Sequence, residues 1–358
     1  MRNEQSILEV LDASTARRAA RRDFLRTAGM ATVAAGGLAM LAGCGDENGD
    51  NQGNTFPPTP TPSVNTGDID VLNFALNLEY LEAQFYSYAV FGTGLNSSLL
   101  AGVGTQGAVA TSATAGPRAV DFSGETLIGQ YAREIAADEI AHVQFLRTVL
   151  GSAAVAQPAI NLNGDANGAF SVAARAAGIA TTTGTLSGAA STTGTFDPYS
   201  SPDAFLLGAF IFEDVGVTAY KGSATVLRDK TYLEAAAGIL AAEAYHAGLI
   251  RTVLYNRGQS NAALIAAPGR ISDARDTLDG TTAASGPPAL FADDDQPITL
   301  GTAPTYAGNA NLVPADVNGI AFGRTPAQVL RIAYLNATVG TTSGGFFPAG
   351  ANGNVRSA

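Results

Sequence analysis

From residue 68 the chain reads DIDVLNFALNLEYLEAQFYSYAVFG, in which Leu72, Ala75, Leu78 and Glu79, then Glu82 and Tyr86, recur every three or four residues. That period marks one face of a helix, which Asp68 or Asp70 can cap and Gly92 can end. A second helix is predicted over 124–150, closed by Gly151. A third runs from Pro202, a residue suited to a first helical turn, to Val226 or Leu227, and a fourth covers 232–255. Gly/Ala/Thr-rich stretches at 93–122 and 152–200 read as long loops, the latter with a short helix near 170–177. An alanine-rich segment at 261–278 reads as a fifth helix broken at Pro268-Gly269. The last 80 residues read as irregular, apart from one helix over 326–335.

The pattern repeats itself. EIAADEIAHVQFLRTVLG lies over GILAAEAYHAGLIRTVLY at a constant offset of 104, so Glu139 falls on Glu243, His142 on His246 and Arg147 on Arg251. The first and third helices match more weakly, with Glu79 to Tyr86 and Glu213 to Tyr220 both seven residues apart. A duplicated helix pair joined by a long crossover is an all-α four-helix bundle with a pseudo-twofold axis.

Residues 1–67 have a different texture. Residues 17–44, RRAARRDFLRTAGMATVAAGGLAMLAGC, set a basic stretch before an apolar run too short and too rich in small residues to span a membrane. A charged head followed by a short apolar run is the pattern of an export signal. RRDFLR resembles the twin-arginine translocation signal, and Leu41-Ala42-Gly43-Cys44 resembles a lipoprotein signal-peptidase box. The expected organisation is an export signal over 1–43, a lipid-anchored flexible linker over 44–67, the bundle over 68–257 and a C-terminal extension with short helices over 258–358. The expected location is periplasmic or cell-surface, membrane-anchored through lipidated Cys44.

Composition narrows the chemistry. Of 358 residues only 14% are charged, and the net charge is −11, which argues against nucleic acid as a partner. The single cysteine excludes a disulfide scaffold, a cysteine-ligated zinc site and a cysteine-ligated iron–sulfur cluster. Chemistry that needs imidazole must use one or both of the two histidines. Both sit three residues after a glutamate, which among 11 glutamates arises by chance roughly once in a thousand sequences. Residues three apart share a helix face, so Glu139 with His142, and Glu243 with His246, each present a carboxylate and an imidazole to one point. Glu79 and Glu213 stand in otherwise apolar helical runs, where a carboxylate needs a partner, a proton or a metal. One Glu from each of two helices plus Glu-x-x-His from each of the others is the ligand pattern of dimetal carboxylate bundles.

LEYLEAQFY, EIAADEIAHVQFLR, FEDVGVTAY and AAEAYHAGLIR give the chain a resemblance, over about residues 68–257, to the ferritin-like superfamily. Within that superfamily it resembles the bacterial ferritin-like domain proteins related to plant desiccation-related proteins. The resemblance implies a ferritin-like bundle with two metal ions, Fe or Mn, held by Glu79, Glu139, His142, Glu213, Glu243 and His246. Glu82, one turn beyond Glu79, is either an additional ligand or a neighbouring acid, and its repeat position is Gly216. Tyr86 and Tyr220 either orient carboxylates or simply pack in the core. Asp138 and Glu134 either bond a neighbour or face water, and Asp214 is read as non-ligating. The expected activity is a ferroxidase- or catalase-like dimetal oxidoreductase acting on O2, peroxide or Fe(II). The alternative is a non-catalytic metal-binding or desiccation-protective envelope protein. A homo-oligomer is compatible with either.

Overall fold

A computed structural model describes residues 67–182, 190–280, 293–300 and 309–358. The expected export signal, Cys44 and the linker up to residue 66 lie outside the described residues. Helix α1 spans Asp68–Phe91, and Gly92 ends it in the left-handed conformation (φ 71°) that glycine adopts without strain. Asp68 does not cap it: Gly67 is the N-cap, and the Asp68 carboxylate accepts from the backbone N–H groups of Arg228 and Asp229, 160 residues along the chain. Helix α2 spans Thr126–Leu150, and a short α3 spans Ala169–Ala176. Helix α4 spans Pro202–Ala224, with Ser201 as N-cap accepting from Ala204 N–H. Helix α5 spans Lys230–Gly258, with Asp229 as its cap.

Helices α1 and α2 form one hairpin and α4 and α5 the other, with α1 packed on α4 and α2 on α5. The two pairs divide the work. In α2 and α5 one face is buried and the other meets solvent, whereas α1 is buried at every position from Val71 to Ser87 and α4 from Ala204 to Tyr220. A helix apolar all round must be covered all round, and the rest of the chain does the covering. On α1, Asn73, Asn77, Tyr80 and Gln84 form a polar stripe on the face opposite Glu79 and Glu82. Asn73 accepts from Val155 N–H at 2.9 Å, Asn77 exchanges bonds with the Asn352 backbone, and the Tyr80 hydroxyl donates to Leu99 O. Gln84 accepts from Leu95 N–H.

The two stretches expected as loops lie against each other. Val103 bridges Val155 and Val109 bridges Ile160, both parallel, and the chains approach so closely that a Cβ on Gly107 would lie 2.1 Å from Ala159 N. Ala154, Val155, Ile160, Leu162 and Phe170 are buried there, so this segment is part of the core.

The C-terminal extension covers α4. The expected break at Pro268-Gly269 does not occur: α6 is continuous over Ala263–Asp279 with Pro268 inside it. An internal proline costs about 3 kcal/mol through its missing N–H and ring clash. Burial of Ala263, Leu264, Ala267 and Ile271 offsets that cost. Arg275 further ties α6 to α4, donating to Phe210 O at 2.8 Å and to Asp214 at 3.1 Å. A two-residue antiparallel pair, β1 (Thr299–Leu300) and β2 (Asn309–Ala310), precedes α7, Pro326–Ala333, which has a capping box from Thr325 and Gln328. No described helix is long and apolar enough to cross a membrane.

A buried ion-pair chain locks this extension. Arg251 on α5 and Arg275 on α6 both meet Asp214, Arg275 continues to Asp295, and Arg324 joins Asp295 to Asp279 at 2.9 and 2.7 Å. Arg251 and Arg324 are 1% exposed or less. Removing one partner from such a network leaves an uncompensated buried charge. Arg324→Met should therefore lower the unfolding free energy by about 3–5 kcal/mol, read from urea denaturation, with helix content kept at low denaturant.

Candidate metal centre

The buried faces of α2 and α5 and the enclosed helices α1 and α4 meet at one level of the bundle. Glu79 and Glu82 come from α1, Glu139 and His142 from α2, Glu213 from α4, and Glu243 and His246 from α5. Glu79, Glu139, Glu213 and Glu243 are 1% exposed or less, and His246 is 4%. Their donor atoms form two groups, each with ligand atoms within 4.8 Å of one another: Glu79, Glu139, His142 and Glu243 in one, Glu139, Glu213 and His246 in the other. Glu139 belongs to both. The six residues named by the Glu-x-x-His pattern and its two lone glutamates are thus brought together.

Distances within the groups are short, but their geometry is not that of hydrogen bonds. His142 Nδ1 lies 3.2 Å from Glu79 Oε2, 3.5 Å from Glu139 Oε2 and 3.6 Å from Glu243 Oε1. His246 Nδ1 lies 3.0 Å from Glu139 Oε1 and 3.6 Å from Glu213 Oε2. Both Nδ1 atoms, both oxygens of Glu139 and of Glu243, and Glu79 Oε2 and Glu213 Oε2 are buried without a hydrogen-bond partner. Buried polar atoms are nearly always paired. Lone pairs converging on common points, from oxygen and imidazole nitrogen, suit metal cations that take mixed oxygen and nitrogen ligands. The residues present fit such ions.

The remaining carboxylate oxygens are held from outside the centre. The Tyr86 hydroxyl of α1 donates to Glu213 Oε1 on α4, and the Tyr220 hydroxyl of α4 donates to Glu79 Oε1 on α1. Burial and the adjacent carboxylates push both phenols well above their ordinary range, so each keeps its proton and donates. Tyr86 and Tyr220 therefore orient carboxylates, each on the helix opposite its own. Asp138, 46% exposed, lies 3.3 Å from His246 Nε2. A proton on Nε2 shared with Asp138 leaves Nδ1 as the lone pair that faces the centre. Glu134 is exposed. Asp214 turns outward to Arg251 and Arg275 and takes no part in either group.

Glu82 is 5% exposed and lies beside the centre, outside both groups of close donor atoms. The residue that sequence reasoning undervalued is its repeat counterpart, Gly216. A Cβ there would stand 2.3 Å from Glu243 Oε2 and 3.4 Å from Glu82 Oε1. The absent side chain is what admits the Glu243 carboxylate. The signal was visible as a glycine in a buried helix, where it costs roughly 1 kcal/mol against alanine.

The electrostatics follow from crowding carboxylates in an apolar interior. Burial pushes Glu79 up to about 7 and Glu213 up to about 8, against the pull of His142 and His246. Burial and neighbouring carboxylates push Glu82 and Glu243 well above their ordinary range. Burial would raise Glu139 too, but the imidazoles on both sides hold it well below that range. Burial lowers the imidazoles, yet Glu79 and Glu139 hold His142 up to about 11, and Glu213, Asp138 and Glu139 hold His246 up to about 10. Protons therefore occupy, near neutrality, the positions that cations would take.

Two outcomes are expected. Because the imidazoles are raised above 6.5, their protons are present at pH 7 and must leave when a metal enters. Addition of Mn(II) in weak buffer should release protons, and apparent affinity should fall as pH falls from 8 to about 6. Because Glu139 serves both groups, Glu139→Ala should strip both metal positions, whereas His246→Ala should spare the group of Glu79 and His142. Metal-to-protein ratios of the purified variants check this.

The chain is similar to proteins of known name. The family model described as "Ferritin-like domain" matches residues 67–256, the stretch from the α1 cap to the end of α5. The chain is 25% identical over 309 residues to "Ferritin-like catalase Nec2" of Nesocodon mauritianus, covering 82% of this chain and 86% of that protein. It is 27% identical over 271 residues to "Desiccation-related protein PCC13-62" of Craterostigma plantagineum, covering 74% of this chain and 76% of that one. With the bundle matched from its first helix to its fourth, the chain belongs to the ferritin-like domain family.

Proposed function

We propose that this protein is a dimetal-carboxylate redox protein of the bacterial envelope, acting on peroxide, O2 or Fe(II), with peroxide disproportionation as its leading activity. The observation that carries the reading is the convergence of unpartnered carboxylate and imidazole atoms in two groups that share Glu139. The similarity to a ferritin-like catalase over most of both chains favours peroxide among the three substrates. The envelope location rests on the Arg21-Arg22 segment and Cys44, with lipid at Cys44 holding the bundle near a membrane.

Two Fe or Mn ions held by Glu79, Glu139, His142, Glu213, Glu243 and His246 would supply a two-electron couple, by which two peroxide molecules would become one dioxygen and two waters. The protein's own residues prepare the place. Glu139 belongs to both donor groups and would be shared between them. Tyr86 and Tyr220 keep Glu213 and Glu79 from swinging away, and Asp138 sets the face His246 presents. Glu82, buried beside the centre and outside both groups, has its carboxyl pushed up by burial and by the neighbouring carboxylates, and is the group suited to giving and taking protons. The apolar helices α1 and α4 exclude bulk water, which strengthens every charge interaction inside.

A second reading, a metal-stabilised protective protein without turnover, is favoured by the similarity to a desiccation-related protein. Oxygen release separates the two. Protein loaded with Mn or Fe should evolve oxygen from peroxide, and Glu139→Ala should abolish it together with metal binding. A fully loaded protein that neither evolves oxygen nor oxidises Fe(II) supports the protective reading instead.

A further inference from the structure

An apolar cavity lies where α7 crosses α1 and α4. It is lined by Leu78 and Leu81 of α1, Phe212 and Val215 of α4, and Val329 and Ile332 of α7, and closed by Phe346 from the last stretch of chain. All of these are buried. Its volume is about 30 Å³; one water needs at least about 10–15 Å³, so the space fits a diatomic molecule. Two residues on its wall belong to the metal centre's surroundings: Glu82 and Gly216.

Gly216 makes the cavity and the centre neighbours. Glu243 Oε2 lies 2.3 Å from where a Cβ on Gly216 would be, and Gly216 is itself part of the cavity wall. The bundle's repeat is broken at this point. Three residues after its lone glutamate, α1 carries Glu82, while α4 carries nothing. The cavity opens on that asymmetric side, under the roof made by the C-terminal extension.

We propose that this cavity holds dioxygen, as the molecule released from peroxide or consumed by the centre, and that α7 and Phe346 form its roof. The inference rests on the redox reading above. The lining chooses the occupant. Apart from Glu82 the wall is carbon, so a cation would exchange its whole hydration shell for one carboxylate, and water or peroxide would find the same single polar side chain to bond. An apolar diatomic gives up nothing on entry.

Xenon, which enters dry cavities of this kind, tests the proposal independently of turnover. Crystals of the metal-loaded protein under xenon should show an atom between Leu78, Val215 and Val329. Ala333→Leu, which adds carbon to the α7 wall, should remove that atom, leave the metal-to-protein ratio unchanged and slow oxygen release or uptake about tenfold. Should that variant fold poorly, Val329→Leu fills the same space and carries the same expectation. A wild-type cavity without xenon, or a filled variant with unaltered oxygen rates, overturns the inference and leaves the redox reading standing. Xenon in the cavity of a fully metallated protein that shows no turnover overturns the redox reading, and dioxygen traffic falls with it.

Discussion

Five carboxylates, Glu79, Glu82, Glu139, Glu213 and Glu243, share the interior of a helix bundle with only two imidazoles. Each buried ion costs several kcal/mol unless it is paired, so this excess of negative charge sets the terms for everything around it. Protons or cations must fill the gaps between the oxygens. The helices that carry the carboxylates must keep water out, or the excess dissipates into solvent. This explains why α1 and α4, which bring three of the five, are buried on all sides, while α2 and α5 are covered on one.

Covering α1 and α4 is the task of the chain outside the bundle. The segments at 93–122 and 152–182 dock through Asn73, Tyr80 and Gln84, the last stretch of chain docks through Asn77, and α6 and α7 dock through the chain of arginines and aspartates that begins at Asp214. The pseudo-twofold persists in these supports. Arg147 donates to Tyr80, and its repeat partner Arg251 donates to Asp214, which stands at the position equivalent to Tyr80. Replacing a phenol by a carboxylate at that one position turned a local support into the anchor of a charged network that the first half of the repeat lacks.

The symmetry is likewise kept and broken at the centre. Tyr86 and Tyr220 are equivalent, and each crosses to the other's helix. Glu82 and Gly216 are equivalent in position and opposite in chemistry, and the difference gives the centre a side with a carboxylate, a gap and an apolar cavity. The two halves of the repeat are thus alike in their tyrosines and unlike beside the cavity.

Local rules made much of this legible in the chain. A helical period of 3.6 places residues three and four apart on one face, so the four long helices, the duplication and the two Glu-x-x-His pairs follow from spacing, while Glu79 and Glu213 stood out by their apolar surroundings and joined the set through the family resemblance. What spacing does not carry is which surfaces meet. That Tyr86 serves Glu213 rather than Glu79, that Asp138 reaches His246 across the bundle, and that Pro268 stays inside a helix depend on contacts between residues far apart in sequence. The loops were polar and glycine-rich enough to look unstructured, yet the backbone pairing of Val103 with Val155 and the burial of Phe170 make them core. Sequence by itself determined a candidate set, two Glu-x-x-His pairs fixed by neighbours on one helix and two lone glutamates marked by their apolar surroundings. Only the tertiary structure decided how that set is oriented, sealed and made asymmetric, because those properties belong to the packing of one helix on another.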